Sequence, residues 1–134
     1  MSLTEIGVAS AIMATTFAIA TPSLLRARET YILQSTARMV ESRMQSARIH
    51  AVTRKQDCRI NVTSSTSYVV ECQGSAWAMI ESITLPQGMT VTATARPEFH
   101  ERGNVAPTAT VTVWNRAGRS LRVIVNVNGR VRIQ

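Results

Sequence analysis

Aromatic side chains are scarce and scattered in this sequence: Phe17, Tyr31, Tyr68, Trp77, Phe99 and Trp114. A base-stacking platform for single-stranded nucleic acid draws several together, so that class of binder is disfavoured. Lysine is rarer still. Lys55 is the only one, and the formal net charge of +7 rests on arginine. Such an excess attracts nucleic acid, anionic lipid head groups or acidic proteins, although a GC-rich coding sequence produces the same arginine bias. There is no C-x-x-C, and His50 and His100 have no ligand spacing, which argues against a metal site. No G-x-S-x-G, P-loop or H-E-x-x-H is present, and no pair of carboxylates sits in a suggestive loop. No enzyme and no cofactor is therefore expected. Glu98, His100 and Glu101 gather near Arg102, but they read as a solvated loop.

Charge is missing altogether from Ile6 to Leu25. That is about the length a helix needs to cross the hydrocarbon core of a bilayer. Gly7, Ser10, Thr15, Thr16 and Thr21 interrupt the run, and alanine outnumbers leucine. A lone span draws on Leu, Ile and Phe, whereas small residues let helix backbones approach one another. Glu5 stands at the mouth of the run, and a carboxylate is costly out of water unless paired. The nearest cation in sequence is the chain's own amino terminus. A simple anchor accounts for the length but for neither Glu5 nor the small residues. A secretory signal needs a basic n-region, and the first basic residue is Arg26.

Met1-Ser2-Leu3-Thr4-Glu5, the apolar run and Pro22 resemble the mature N-terminus of type IV pilins and type II secretion pseudopilins. That family begins on an N-methylated residue, usually Phe, then Thr or Ser, Leu and, at position five, Glu. Here residue one is Met, and Ala14 stands where many members have Gly. The resemblance implies a leader-cleaved chain with Met1 as the processed, methylated terminus. Prepilin peptidase, an assembly platform and other pilins become its partners. The monomer is stored in the bacterial inner membrane and then joins an extracellular pilus or a periplasmic pseudopilus, in the simplest case a helical homopolymer. The resemblance also supplies the missing cation: Glu5 pairs with the terminal amine of a neighbouring subunit.

Past Pro22, where a helix kink is expected, Leu33, Ala37, Val40, Met44, Ala47 and Ala51 recur at spacings of four and three. They form one apolar stripe on a helix reaching about Arg54. Ile32, Met39 and Ile49 add apolar surface outside it, and the arginines lie mostly away from it. Strand signals begin at Cys58. Pairing Cys58–Val62 with Tyr68–Cys72 across a polar turn sets Cys58 opposite Cys72, Ile60 opposite Val70 and Arg59 opposite Glu71. The apolar residues and cysteines then share one face and the charges the other. A Cys58–Cys72 disulfide fits that register and an exported protein; two unpaired buried thiols are the alternative.

Further strands are expected at 76–85, 89–95, 109–114, 121–127 and 130–133, with 96–107 as a surface loop holding Pro97, Gly103 and Pro107. Asn128-Gly129 marks a hairpin. A strict two-residue turn puts Arg130 and Arg132 on the face of Val125 and Val127. A one-residue bulge at Gly129 instead puts Val131 and Ile133 there and both arginines outside, which we favour.

The helix, then Phe99 to Gly103, the Thr110–Asn115 run, Gly118 and Gly129-Arg130-Val131-Arg132, resembles the GspH/FimT branch of the superfamily. The expected fold is α+β, type IV pilin-like: a long N-terminal helix, apolar then amphipathic, packed on a mostly antiparallel β-sheet domain. Its divisions are a transmembrane and filament-core helix at 1–25, an amphipathic continuation at 26–55 and a globular domain at 56–134. The expected function is that of a structural subunit of a type IV pilus-like filament. One alternative is a GspH-like secretion pseudopilin. The other is a FimT-like minor pilin that captures DNA through Arg130 and Arg132, with Arg116, Arg119 and Arg122 widening the patch. A solvated strand edge kept positive against aggregation explains the same arginines without DNA.

Overall fold

The computed structural model describes residues 2–134. Helix α1 runs over Leu3–Arg54, and eight strands follow: β1 (Cys58–Ser64), β2 (Ser67–Gln73), β3 (Trp77–Thr84), β4 (Thr90–Ala93), β5 (Glu98–Phe99), β6 (Ala109–Trp114), β7 (Ser120–Val125) and β8 (Val131–Ile133). The chain forms two compact units, the first ending at Ile32 and the second running from Leu33 to Gln134.

The first unit is helix alone. Glu5 caps its start: the Ser2 N–H donates to Glu5 Oε2 at 2.9 Å, the glutamate half of a capping box, while the Glu5 N–H goes to the Ser2 carbonyl. All residues from Ser2 to Glu29 are exposed, among them Leu3, Ile12, Phe17 and Leu24. Pro22 lies inside the helix and contributes no N–H to it.

In the second unit the predicted stripe of α1 is buried: Leu33, Ala37, Val40, Met44, Ala47 and Ala51, with Thr36 added. The helix stops where Lys55 takes a left-handed conformation (φ 51°) and the Gln56 N–H returns to the Ala51 carbonyl at 3.2 Å. That is the usual closure of a helix C-terminus, here with Lys rather than Gly in the left-handed position.

The antiparallel sheet is present as two four-stranded sheets, ordered β3-β2-β1-β5 and β4-β6-β7-β8. The β1–β2 register is the expected one, Cys58 opposite Cys72, Arg59 opposite Glu71 and Val62 opposite Tyr68, and the two cysteines are bonded. Arg59 Nε meets Glu71 Oε2 at 2.6 Å and its guanidinium lies 4.0 Å from the centre of the Trp77 ring. The segment 96–107 departs from the expected surface loop. Glu98–Phe99 pairs with β1, and Pro97, Phe99, Gly103 and Val105 are buried. Two paired residues are too few to show alternation, and the prolines and glycine masked a short strand whose Phe99 is fully buried in the core.

The bulge at Gly129 is also present. Val125 faces Val131 and Val123 faces Ile133, leaving Arg130 and Arg132 exposed. The Gly129 N–H donates to the Asn126 carbonyl at 2.8 Å, Asn126 N–H to Arg130 at 3.0 Å, and Gly129 has φ 75°. This is a type I turn closed by a left-handed glycine. The same device recurs at Asn115–Arg119, around Gly118, and at His100–Asn104, around Gly103.

Candidate functional site

Two regions carry the features singled out in the sequence. The first is the start of α1. Met1 lies outside the described residues, and Glu5 is exposed, its carboxylate accepting the Ser2 N–H. The sequence motif Ser-x-x-Glu signals this cap, so Glu5 has a local role besides any pairing with a neighbour. Four of the hydroxyls that dilute the apolar run fold back on their own helix. Thr16 donates to the Ile12 carbonyl at 2.7 Å, Thr21 to Phe17 at 2.7 Å, Thr15 to Ile12 at 2.9 Å, and Ser10 to Ile6. A hydroxyl satisfied within its own helix adds little to the cost of leaving water. The helix is long and apolar enough to cross a membrane.

The second region is the outer face of the β4-β6-β7-β8 sheet. Arg132 stands opposite Ile124, and Arg122 exchanges both backbone hydrogen bonds with Gln134 at 2.8 Å. The two arginines are therefore diagonal neighbours on one face, and Arg130 continues the row at the turn, opposite Asn126. The structure thus brings together Arg122, Arg130 and Arg132 beside the edge strand β8. It places Arg116 and Arg119 in the turn at the other end of β7, with Arg116 against Gly88 and the Arg119 N–H on Asn115 Oδ1 at 2.9 Å. The sequence also holds a signal for this charge that goes beyond the arginines: no Asp or Glu follows Glu101.

One of the helix arginines that lie away from the apolar stripe has a task of its own. Arg48 of α1 donates from Nε to the Gly103 carbonyl at 3.0 Å and also touches the Gly129 turn. The Val105 N–H donates to the Val127 carbonyl at 2.8 Å, so two of the glycine turns are tied to each other and to the helix. This clasp fixes the hairpin that presents Arg130 and Arg132. The two glycines were legible; their meeting at Arg48 was not.

Comparison with known proteins agrees with this architecture. The P. aeruginosa type IV minor pilin FimU superposes with a TM-score of 0.66 at 17% identity, over 79% of this chain and 90% of its own. The minor pseudopilin EpsH of the Vibrio cholerae type 2 secretion system gives 0.68 at 14%, over 76% and 95%. The solution structure of E. coli GspH gives 0.62 at 13%, over 82% and 88%. At these identities the likeness shows the fold. Among curated protein sequences none matches significantly. The sequence pattern of the family described as type II transport protein GspH matches residues 36–129. The chain belongs to the GspH family, and its fold is that of the type IV minor pilin and the minor pseudopilin above.

Proposed function

We propose that this chain is a non-enzymatic structural subunit of a type IV pilus-like filament. Residues 1–25 serve as membrane span and filament core, 26–55 as their amphipathic continuation and 56–134 as the outward domain. Glu5 pairs with the amine of Met1 in a neighbouring subunit, and Pro22 marks the kink. The observation that carries this reading is the start of the helix: its apolar run is exposed throughout, and four of the run's hydroxyls are bonded within the helix. Such a surface needs cover, first from lipid and then from other helices of the same kind. Self-association is the simplest cover. That relatives of this fold include a minor pilin and a minor pseudopilin supports co-assembly with other pilins as well.

Glu5 has two candidate roles, and one substitution separates them. Glu5→Gln keeps a side chain that completes the Ser2 cap but removes the charge, whereas Glu5→Ala removes both. The experiment is incorporation into sheared filaments by cells whose only copy carries each variant. Both are expected to block incorporation while the second unit melts as in the wild type, because an unpaired buried charge partner is strongly destabilising. Normal incorporation of Glu5→Gln with loss only for Glu5→Ala would reduce Glu5 to a helix cap.

The second reading is DNA capture by the finished fibre. It is favoured by one observation: Arg122, Arg130 and Arg132 lie on a single exposed face, in a stretch of chain without acids. A secretion pseudopilin uses the same assembly chemistry and needs no such face.

A further inference from the structure

We propose that Asp57, Glu98 and His100 form a binding site for a divalent first-row transition ion, best fitted by zinc. The three side chains come from separate places in the chain, the link after α1, strand β5 and the turn beyond it, yet their ligand atoms all lie within 4.8 Å of one another. His100 Nδ1 is 3.1 Å from Asp57 Oδ1 and 4.0 Å from Glu98 Oε1. Ligands about 2.0–2.2 Å from a tetrahedral ion stand roughly 3.4 Å apart, so small side-chain rotations close the site.

The backbone explains why they converge. Cys58 pairs with Phe99 and Arg59 with Glu98, so the antiparallel ladder, continued by one residue, sets Asp57 opposite His100. Glu98 lies two residues before His100 and therefore on the same face. Both ends are pinned. The Asp57 carbonyl accepts the Gln73 N–H at 2.7 Å, and the His100 N–H donates to the Asn104 carbonyl at 2.9 Å. Arg59, the cation closest in register, is held at Glu71 and over Trp77. Asp57, His100, Glu101 and Lys55 line an open depression of about 530 Å³, which admits water to the remaining coordination positions.

The donor set decides the class of ion. One imidazole nitrogen with two carboxylates suits zinc and its neighbours, whereas calcium takes six to eight oxygen ligands. Two carboxylates also neutralise the ion's charge. A second grouping, His50 with Cys58 and Cys72, is excluded because the two sulfurs are bonded to each other. A bound ion would tie the link after α1 to the segment carrying Gly103, and so to the Arg48 clasp. This holds independently of how the chain assembles.

The test uses the full chain in detergent, stripped with chelator and dialysed, then titrated with zinc chloride by calorimetry and followed by thermal melting. One equivalent of zinc is expected to bind and to raise the Tm. His100→Ala is expected to weaken binding about 100-fold or more and Asp57→Asn at least about 10-fold, since loss of a group that merely supports a ligand already costs about 10- to 100-fold. His50→Ala is expected to bind as wild type. If His100→Ala fails to match the wild-type melt in chelator, Glu98→Gln carries the same comparison. Absence of a zinc-dependent Tm shift, binding that survives His100→Ala, or calcium binding more tightly than zinc each overturns the proposal.

Discussion

Tyr68 is 1% exposed, and its hydroxyl has no hydrogen-bond partner among the described residues. Burial pushes its pKa up to about 12, with Arg43 pulling it down and Glu81 pushing it up. The neutral phenol is thus favoured in the folded state. Stability that depends on it is complete below the unfolded value near 10, and is lost as the pH rises from about 10 to about 12. Tyr68→Phe removes both the unpaired hydroxyl and the titration. At pH 8 we expect it to be neutral or to stabilise by up to about 1 kcal/mol, since deleting an unsatisfied buried polar group relieves its desolvation. Above pH 10 the variant is expected to gain on the wild type by about 1 kcal/mol per pH unit. Urea denaturation of both chains at pH 8, 10 and 11 measures this difference. A gap that stays constant with pH would mean that Tyr68 ionises as readily in the folded chain as in the unfolded one.

At the scale of elements, the turns differ in what surrounds them more than in how they are built. Gly118 and Gly129 close the same kind of turn at φ 77° and 75°. A methyl group on Gly118 meets nothing within 4 Å, whereas one on Gly129 collides with the Gly103 carbonyl and lies 2.6 Å from Arg48 Nε. Gly118→Ala therefore costs only its backbone strain, about 1 kcal/mol, while Gly129→Ala is expected to cost about 3 kcal/mol or more. Equal losses for the two would show that the Arg48 clasp yields easily. This contrast also marks how far the sequence could be read. Turn chemistry is local, so Asn128-Gly129 announced the hairpin, and the parity of Val131 and Ile133 fixed its bulge. The alternation around Cys58 and Cys72 gave the β1–β2 register, and the spacing of Leu33 to Ala51 gave the buried face of α1. What failed was non-local. Strand β5 has two residues and no periodicity; Asp57 meets His100 only through that strand; Arg48 looks like any solvated helix arginine until two distant turns close on it. The capping-box role of Glu5 was local and legible in Ser-x-x-Glu, but the family motif on the same residues overshadowed it.

The distribution of charge belongs to the whole molecule. Every Asp and Glu lies at or before Glu101, while arginines continue at 102, 116, 119, 122, 130 and 132. A chain built only to polymerise needs positive charge on edge strand β8 to discourage pairing, and for that purpose one or two arginines or lysines are enough. DNA capture makes a quantitative demand instead. If Arg122, Arg130 and Arg132 each neutralise a phosphate, the logarithm of affinity for duplex DNA falls with that of salt at a slope of about −2.7, or about 40-fold from 50 to 200 mM. Substituting Arg130→Ala together with Arg132→Ala is expected to reduce the slope by about 2, equally for unrelated sequences, because phosphate contacts carry no base information. Fluorescence anisotropy of labelled duplexes with the full chain in a non-ionic detergent measures both quantities. An unchanged slope in the double variant would place any DNA contact elsewhere on the molecule. No binding at 50 mM salt would leave the arginine row as an edge defence.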